Sequence, residues 1–149
     1  MPKWMEMIEA MAGGQQSPPP IAQLIGFRVT TVRAGYVQVE FDAQPRHTNP
    51  MGTLHGGIFC DIADAAMGMA YITTLMDDET FTTLELKINF LKPVWNGKLI
   101  ATGQLVKGGK TIGLVECHIH DQHENLVAYA TSTCMTLRGV QAHGRKMED

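Results

Sequence analysis

The spacing of apolar residues along this chain changes several times, and each spacing predicts a different element. Near the N-terminus, Trp4, Ile8 and Met11 recur at helical spacing, which predicts a short amphipathic helix. The stretch "GGQQSPPP" (13–20) predicts a linker, because consecutive prolines favour an extended conformation, and a short helical turn at "IAQLIG" is expected after it. Residues 27–43 alternate apolar and polar positions around "AGY", which predicts a β-hairpin.

From Gly56 the apolar positions return to helical spacing. One long helix is predicted by a broad apolar stripe made of Ile58, Ile62, Ala65, Ala66, Met69 and Ile72. Four consecutive antiparallel strands are predicted after it, at 80–94, 98–108, 111–121 and 126–139, with turn residues between them. Because helices and strands do not alternate, we expect an α+β fold in which a curved antiparallel sheet of five to six strands wraps around one long central helix.

Composition limits the function classes. The 149 residues are enough for one domain, which we place at 17–140, after an N-terminal helix and linker start at 1–16 and before a tail at 141–149. A net charge of −3 argues against a nucleic-acid partner. Three cysteines without repeated spacing, and a start without a signal peptide's apolar stretch, favour a reduced, cytoplasmic location. No run approaches the ~20 uncharged apolar residues of a membrane span, so no membrane partner is expected.

A polar, glycine-rich segment lies directly against the start of the long helix. This segment, "HTNPMGTLHGGIFCDIAD" (47–64), together with "LKINFLKPV" and "VKGGKTIGLVECHIHD", resembles the hotdog-fold acyl-CoA thioesterases of the phenylacetic-acid-degradation (PaaI-like) group. The most specific part is Asn49, six residues before the His55-Gly56-Gly57 sequence, with Asp64 nine residues after that histidine. The resemblance covers about residues 20–138. It implies a hotdog fold, active sites between subunits, and acyl-CoA hydrolysis with no cofactor besides the coenzyme A of the substrate.

Thioester hydrolysis requires a group that stabilises the carbonyl oxygen as it becomes negative and a group that activates water. The first N–H groups of a helix lack intrahelical partners and carry about half a positive charge, so Gly56 or Gly57 would form an oxyanion site, with His55 shaping the loop. The alternative is that these glycines only make a tight turn. Asp64 would be the general base or the nucleophile. Asp61 lies on a neighbouring part of the same helix face, and only the resemblance selects Asp64.

The distance between these groups predicts a shared site. Gly56 and Asp64 are eight residues apart, about 12 Å along a helix, whereas a base and an oxyanion donor that serve one carbonyl must each lie within ~3–4 Å of the reacting atoms. A two-fold dimer with antiparallel helices side by side would bring Gly56 of one subunit level with Asp64 of the other. We therefore expect a homodimer, or a homotetramer of such dimers.

Five further residues are candidates for binding or positioning. Asn49 would bond the attacking water or the thioester, or else it is an ordinary residue of the turn that leads into the helix. The resemblance assigns water orientation to Thr83, which is otherwise an ordinary strand threonine. Coenzyme A carries phosphates, and the candidates to bind them are Lys107, Lys110 and Arg138, whose alternative is solvated surface charge.

Other functions fit the sequence less well. His118 and His120 project from one strand face, but no acidic or cysteine ligand falls at a convincing spacing, so no metal site is expected. A non-catalytic acyl-CoA sensor would keep the groove but would not need Asp64. A hotdog enoyl-CoA hydratase has a signature resembling Asp-x-Asn-Pro-x-His, of which this chain keeps Asn-Pro but has His47 and Gly52 at the outer positions.

Overall fold

A computed structural model describes residues 2–145, so residues 146–149 of the expected tail lie outside the described part. The elements within that part are three α-helices and six strands, with bounds α1 Lys3–Ala12, α2 Pro20–Ile25, β1 Arg28–Arg33, β2 Tyr36–Ala43, α3 Gly56–Ile72, β3 Thr80–Phe90, β4 Gly97–Gly108, β5 Ile112–Asp121 and β6 Leu126–Leu137. Short 3₁₀ turns cover Pro45–His47 and Gly139–Ala142. The expected α+β fold, with an antiparallel sheet and one long helix, is confirmed.

Of the four strands after α3, β4, β5 and β6 pair in chain order but β3 does not pair with β4, which corrects the expectation of four consecutive antiparallel strands. The described sheet has the order β1-β2-β4-β5-β6-β3, so β4 pairs with β2, and β3 lies at an edge beside β6. The register of this edge pair runs from Thr80 opposite Leu137 to Phe90 opposite Ala128. Because α3 carries the chain from β2 to the opposite edge, β3 is separated from β4, its successor in sequence.

The core lies between α3 and the concave face of the sheet. The buried face of α3 is rotated from the predicted stripe. Ile58, Ala65 and Met69 of that stripe are half-buried, whereas its other members are buried together with neighbouring positions, so that the buried residues are Phe59, Ile62, Ala63, Ala66, Met67, Gly68, Ala70, Tyr71 and Ile72. At one point the helix backbone touches the sheet. A Cβ at Gly103 of β4 would overlap the carbonyl oxygen of Ala66, so glycine is required there.

The N-terminal helix packs on this same core. Trp4 and Ile8 are buried, and the Trp4 Nε1–H donates to the carbonyl oxygens of Met76, at 3.2 Å, and Glu79, at 2.8 Å. The linker ends one residue earlier than predicted, because Pro20 is the first residue of α2, where its missing N–H has no helical partner to lose. The boundary predicted between residues 16 and 17 stays a prediction. None of the helices within residues 2–145 combines the length and the apolar character that crossing a bilayer requires.

Candidate active site

The start of α3 distinguishes between its two glycines. The exposed His55 is the N-cap residue, and its Nδ1 accepts a hydrogen bond of 2.9 Å from the Gly57 N–H. The Gly56 N–H has no hydrogen-bond partner among residues 2–145. A Cβ at Gly56 would lie 3.0 Å from Cζ of Phe90, so glycine gives this aromatic ring room over the helix start. Of the two candidate oxyanion donors, Gly56 is therefore the one with a free N–H.

The loop before α3 is held by its own side chains. The Oδ1 of Asn49 accepts from the backbone N–H groups of Met51 and Thr53, at 3.0 and 3.2 Å, and its Nδ2 donates to Thr53 Oγ1 at 2.8 Å. Asn49 thus has the role of a turn residue that leads into the helix. One N–H of its amide has no partner within the described part of the chain.

His47 also fixes this loop, although sequence reasoning assigned it no role. It is buried, its Nδ1 accepts from the Gln44 N–H at 3.1 Å, and its Nε2 lies 3.0 Å from the Ile25 carbonyl oxygen. Its own carbonyl oxygen accepts from the His55 N–H at 2.9 Å, which ties the loop to the helix start. In the sequence, the feature that points to this role is the position of His47 two residues before Asn49, in the same polar segment.

Asp64 lies beside Thr83, the residue to which the resemblance assigns water orientation. The Thr83 hydroxyl donates a long hydrogen bond of 3.4 Å to Asp64 Oδ1, from β3 to α3. Solvent reaches the Asp64 carboxylate, but protein atoms crowd it on most sides, and this burial raises its pKa; the Thr83 bond lowers the pKa and the nearby Asp61 charge raises it. Asp64 therefore holds its proton to higher pH than an ordinary aspartate.

Asp61 lies close to Asp64 on α3, but its carboxylate has no comparable hydrogen bond in the described part of the chain. Burial raises its pKa as well, yet no hydrogen bond to its carboxylate is found within residues 2–145. The difference between the two carboxylates is therefore the Thr83 hydroxyl, which orients one of them. Periodicity did not separate the two, because the hydroxyl comes from a strand that lies 19 residues further along the chain.

Within one chain, the two halves of the site are separate. His55, Gly56 and Gly57 form one group, Asp64 and Thr83 form another, and the eight residues between Gly56 and Asp64 on α3 span about 12 Å. A carbonyl bound at one group of this chain is out of reach of the other.

A cavity of about 880 Å³ opens beside Asp64. Asp61, Asp64 and Thr83 line it, and the rest of its lining is mostly apolar. Its floor is one stripe of α3 made of Asp61, Asp64, Ala65, Gly68, Met69 and Ile72. This cavity leaves no signal in the sequence, because the position of α1 above it depends on contacts between distant segments.

The predicted phosphate ligands differ in their availability. Lys107 and Lys110 are exposed at the tip between β4 and β5, and neither ammonium has a partner among residues 2–145. Arg138 is instead engaged, with its Nε 2.8 Å from Glu79 Oε1 and its Nη2 bonded to the Lys110 carbonyl oxygen. This arginine braces the tip. Thr83 pairs with Cys134, Cys134 pairs with Gly113, and Gly113 pairs with Gly108 near the tip. The tip therefore lies about three strand spacings, or ~14 Å, across the sheet from Thr83.

The histidines of β5 lie away from this site. His118 and His120 stack with ring centroids 6.2 Å apart, on the strand face opposite the buried Cys117 and Ile119. Among residues 2–145, no group of three or more His, Cys, Asp or Glu side chains converges in a way that would hold a metal ion.

Comparison with known proteins gives consistent matches over most of the chain. A family model described as "Thioesterase superfamily" matches residues 51–128. A Saccharolobus solfataricus protein that is provisionally named an esterase is 32% identical over 118 residues, which cover 79% of this chain and 78% of the relative. Human acyl-coenzyme A thioesterase 13 is 29% identical over 110 residues, covering 72% of this chain and 74% of its own. A crystal structure from Ralstonia eutropha, provisionally titled a thioesterase and phenylacetic acid degradation-related protein, aligns with a TM-score of 0.78 and 30% identity over 86% of this chain and 98% of that one.

Proposed function

The chain belongs to the thioesterase superfamily and has the hotdog fold of its PaaI-like members, and on this premise we propose that it hydrolyses acyl-CoA thioesters to a free acid and coenzyme A. The observation that carries the proposal is Asp64, a carboxylate with a raised pKa and a hydroxyl partner, in the wall of a mostly apolar cavity.

In the proposed reaction, the thioester carbonyl oxygen accepts a hydrogen bond from the Gly56 N–H. This donor is free, and the helix dipole adds to its stabilisation of the oxygen as negative charge develops. The Asp64 carboxylate takes a proton from water, the water oxygen bonds to the acyl carbon, and the carbon–sulfur bond breaks as the oxyanion collapses. The thiolate of coenzyme A then receives the proton. Thr83 orients the Asp64 carboxylate, and Asn49 and His55 hold the loop and the helix start in place.

Direct attack of Asp64 on the acyl carbon, through a mixed anhydride, is the alternative route. A single turnover in ¹⁸O-labelled water tests for the anhydride. General-base catalysis, and water attack on the acyl carbon of an anhydride, both place the label in the released acid and leave Asp64 unlabelled. Water attack on Asp64 Cγ of an anhydride places the label in the side chain, so a labelled Asp64 identifies the anhydride route.

We propose further that the catalytic unit is a two-fold dimer in which Gly56 of one subunit serves Asp64 of the other. The separation of about 12 Å along α3 supports this arrangement. The sheet edge at β3 supports it too, since its apolar Leu84 and Phe90 are 54% and 55% exposed, as expected for a surface that a second copy covers.

Mixed dimers test this arrangement. Gly56→Pro removes the free N–H at the first helical position, where proline is tolerated, and His55 already has the extended conformation that a following proline requires. Loss of an oxyanion donor typically costs 10²–10³ in kcat, so both Gly56→Pro and Asp64→Asn homodimers should be nearly inactive. A dimer with one subunit of each kind, purified through two different tags, contains one intact site and should recover about half of the wild-type activity.

The control is Gly56→Ala, which adds a Cβ toward Phe90 but keeps the N–H, and which should retain much more activity than Gly56→Pro. Mixed dimers that stay inactive would contradict the shared site. Tight binding of acyl-CoA without turnover by the wild-type protein would instead identify a sensor.

We propose that catalysis needs no metal and no other cofactor, because Asp64 and the helix start supply the two required functions. Incubation with EDTA or 1,10-phenanthroline should leave kcat unchanged. Activity that a chelator abolishes and zinc restores would overturn this part of the proposal. The cytoplasmic location stays a prediction.

A further inference from the structure

The cavity beside Asp64 is bounded on one side by the N-terminal arm, which we define as α1 and the linker up to Pro19. Trp4, Ile8 and Met11 of α1 line the cavity, together with linker residues 14–19. Its floor on α3 extends from Asp61 to Ile72, about 16 Å along the helix. The arm therefore forms a wall of the same space that contains the proposed catalytic carboxylate.

The arm is anchored at its start. The Trp4 indole donates to two carbonyl groups of the segment that follows α3, and the Lys3 backbone N–H donates to Asp77 Oδ1 at 2.9 Å. Trp4 is 4% exposed and Ile8 is fully buried. Because this segment follows the C-terminal end of α3, Trp4 lies at the end of the floor opposite Asp61 and Asp64.

The middle of the cavity floor suits a slender apolar group. Ala65 and Gly68 are small residues in the floor next to Asp64, and the Phe81 ring narrows the cavity over Gly68, because a Cβ there would lie 3.0 Å from Cζ of that ring. A volume of about 880 Å³ is far more than a two-carbon acyl group fills. The lining beyond Asp64 therefore matches an extended hydrocarbon chain that runs from the carboxylate toward α1.

We propose that the N-terminal arm is the far wall of the acyl pocket and sets the length of the acyl chain, so that elongated apolar acyl groups are preferred over short ones. This inference rests on the proposed thioesterase activity. It also assigns the acyl pocket to the subunit that supplies Asp64, and it makes Met11 a specificity-determining residue, since its half-buried side chain lines the pocket.

The test compares two methionines of the same helix. Met11 lines the cavity, whereas Met7, one turn earlier, packs against the core outside it. With straight-chain acyl-CoAs from butyryl to palmitoyl, kcat/KM of the wild type should rise about fourfold per added methylene until the pocket is full. Met11→Trp should move the optimum to shorter chains and Met11→Ala to longer ones, while Met7→Trp and Met7→Ala should leave it unchanged. An optimum that is identical in the Met11 and Met7 variants would overturn the proposal.

A second measurement does not depend on hydrolysis. The chain has two tryptophans, so Trp95→Phe leaves Trp4 as the sole reporter. Titration of this variant with saturated free fatty acids should change Trp4 fluorescence, with affinity that rises with chain length and falls when Met11→Trp is added. Fatty acids that bind in this way while no acyl-CoA is hydrolysed would support the pocket and overturn the proposed thioesterase function. Fatty acids that never perturb Trp4, with hydrolysis intact, would overturn the pocket alone.

Discussion

The two faces of α3 differ in how much change they can accept. On one face, Ile62, Ala66, Met67 and Ala70 are fully buried, and the backbone itself touches β4 at Gly103. On the other, Asp61, Asp64 and Met69 face a cavity. The packed face holds the sheet around the helix, and the open face carries the chemistry. One helix can serve both purposes because a residue's direction around its axis decides which neighbours it meets.

The open face carries a cost in stability that the packed face does not. Burial raises the pKa of Asp64 above that of the unfolded chain, so its ionised form is less stable in the folded protein. The contribution of Asp64 to the free energy of unfolding is therefore greatest below its unfolded-state pKa and is lost as pH rises through its folded-state pKa. Asp64→Asn should therefore raise the Tm slightly at neutral pH, and Asp61→Asn should do the same, because burial raises the pKa of both carboxyl groups.

The largest effect is expected from a substitution of Asp64, the proposed catalytic carboxylate on the open face of α3. Asp64→Asn keeps the size of the side chain but removes its basic charge, and loss of a general base typically costs ~10²–10⁴ in rate. We expect kcat to fall at least about a hundredfold, with KM little changed, in a steady-state assay that follows free thiol. Asp61→Asn removes the same charge one turn away and should leave kcat within several-fold. If Asp61→Asn is the inactive variant, the catalytic residue has been assigned wrongly.

The next largest effect is expected on stability, where β4 packs against the buried face of α3. Gly103→Ala places a methyl group against the backbone of Ala66, which cannot move without shifting the helix, so we expect a loss of about 3 kcal/mol in the free energy of unfolding. Gly68→Ala meets only the rim of the Phe81 ring and gains helix propensity of up to ~1 kcal/mol, so its net effect should be near zero. Urea denaturation of both variants measures the contrast. Equal losses at the two positions would show that a methyl group against the helix backbone costs no more than one against the Phe81 ring.

A smaller effect on the rate is expected at Thr83, on the strand that faces Asp64. Thr83→Ala removes the hydroxyl bond, and we expect kcat to fall about tenfold, as for a charge-assisted hydrogen bond. Because that bond lowers the pKa of Asp64, the acidic limb of the kcat/KM profile should also move to higher pH. Thr82→Ala, on the other side of the same strand, should change neither quantity. A fall in rate with no movement of the limb would show that Thr83 acts on something other than Asp64.

The smallest effect concerns the charged tip outside both faces. Lys107→Ala combined with Lys110→Ala should raise KM several-fold, leave kcat unchanged and weaken the dependence of KM on ionic strength. Arg138→Ala is not an equivalent change, because that guanidinium is bonded to Glu79 and the Lys110 carbonyl. A KM that keeps its full salt dependence in the double variant would move the phosphate site elsewhere.

Much of this architecture could be predicted from local patterns. The hairpin, the long helix and the strand segments follow from periodicity, because each pattern depends on residues that are close in sequence. The pairing of β3 with β6 and the docking of α1 could not be predicted, since they depend on contacts between distant segments. The rotation of the buried face of α3 was missed because small apolar residues surround most of this helix.

The candidate site, too, could be predicted from the sequence only in part. The resemblance led to Asp64 and the helix start, but local structure decided finer points. The His55 ring binds the Gly57 N–H and leaves Gly56 free, and Asn49 is engaged by its own loop. Side-chain hydrogen bonds of this kind leave no trace in residue spacing. Whether Gly56 and Asp64 meet across a dimer stays a prediction.

The position of β3 beside β6 also matters while the chain is being made. A protein emerges from the ribosome N-terminus first, so β3 leaves the exit tunnel before β4 and β5, and its hydrogen-bonding partner is the last strand to follow. During that interval α3 can dock on β2 and β4, while β3 has no sheet to join. Nascent chains that stop before Leu126 therefore carry an unpaired, partly apolar strand, and they are the ones we expect chaperones to bind.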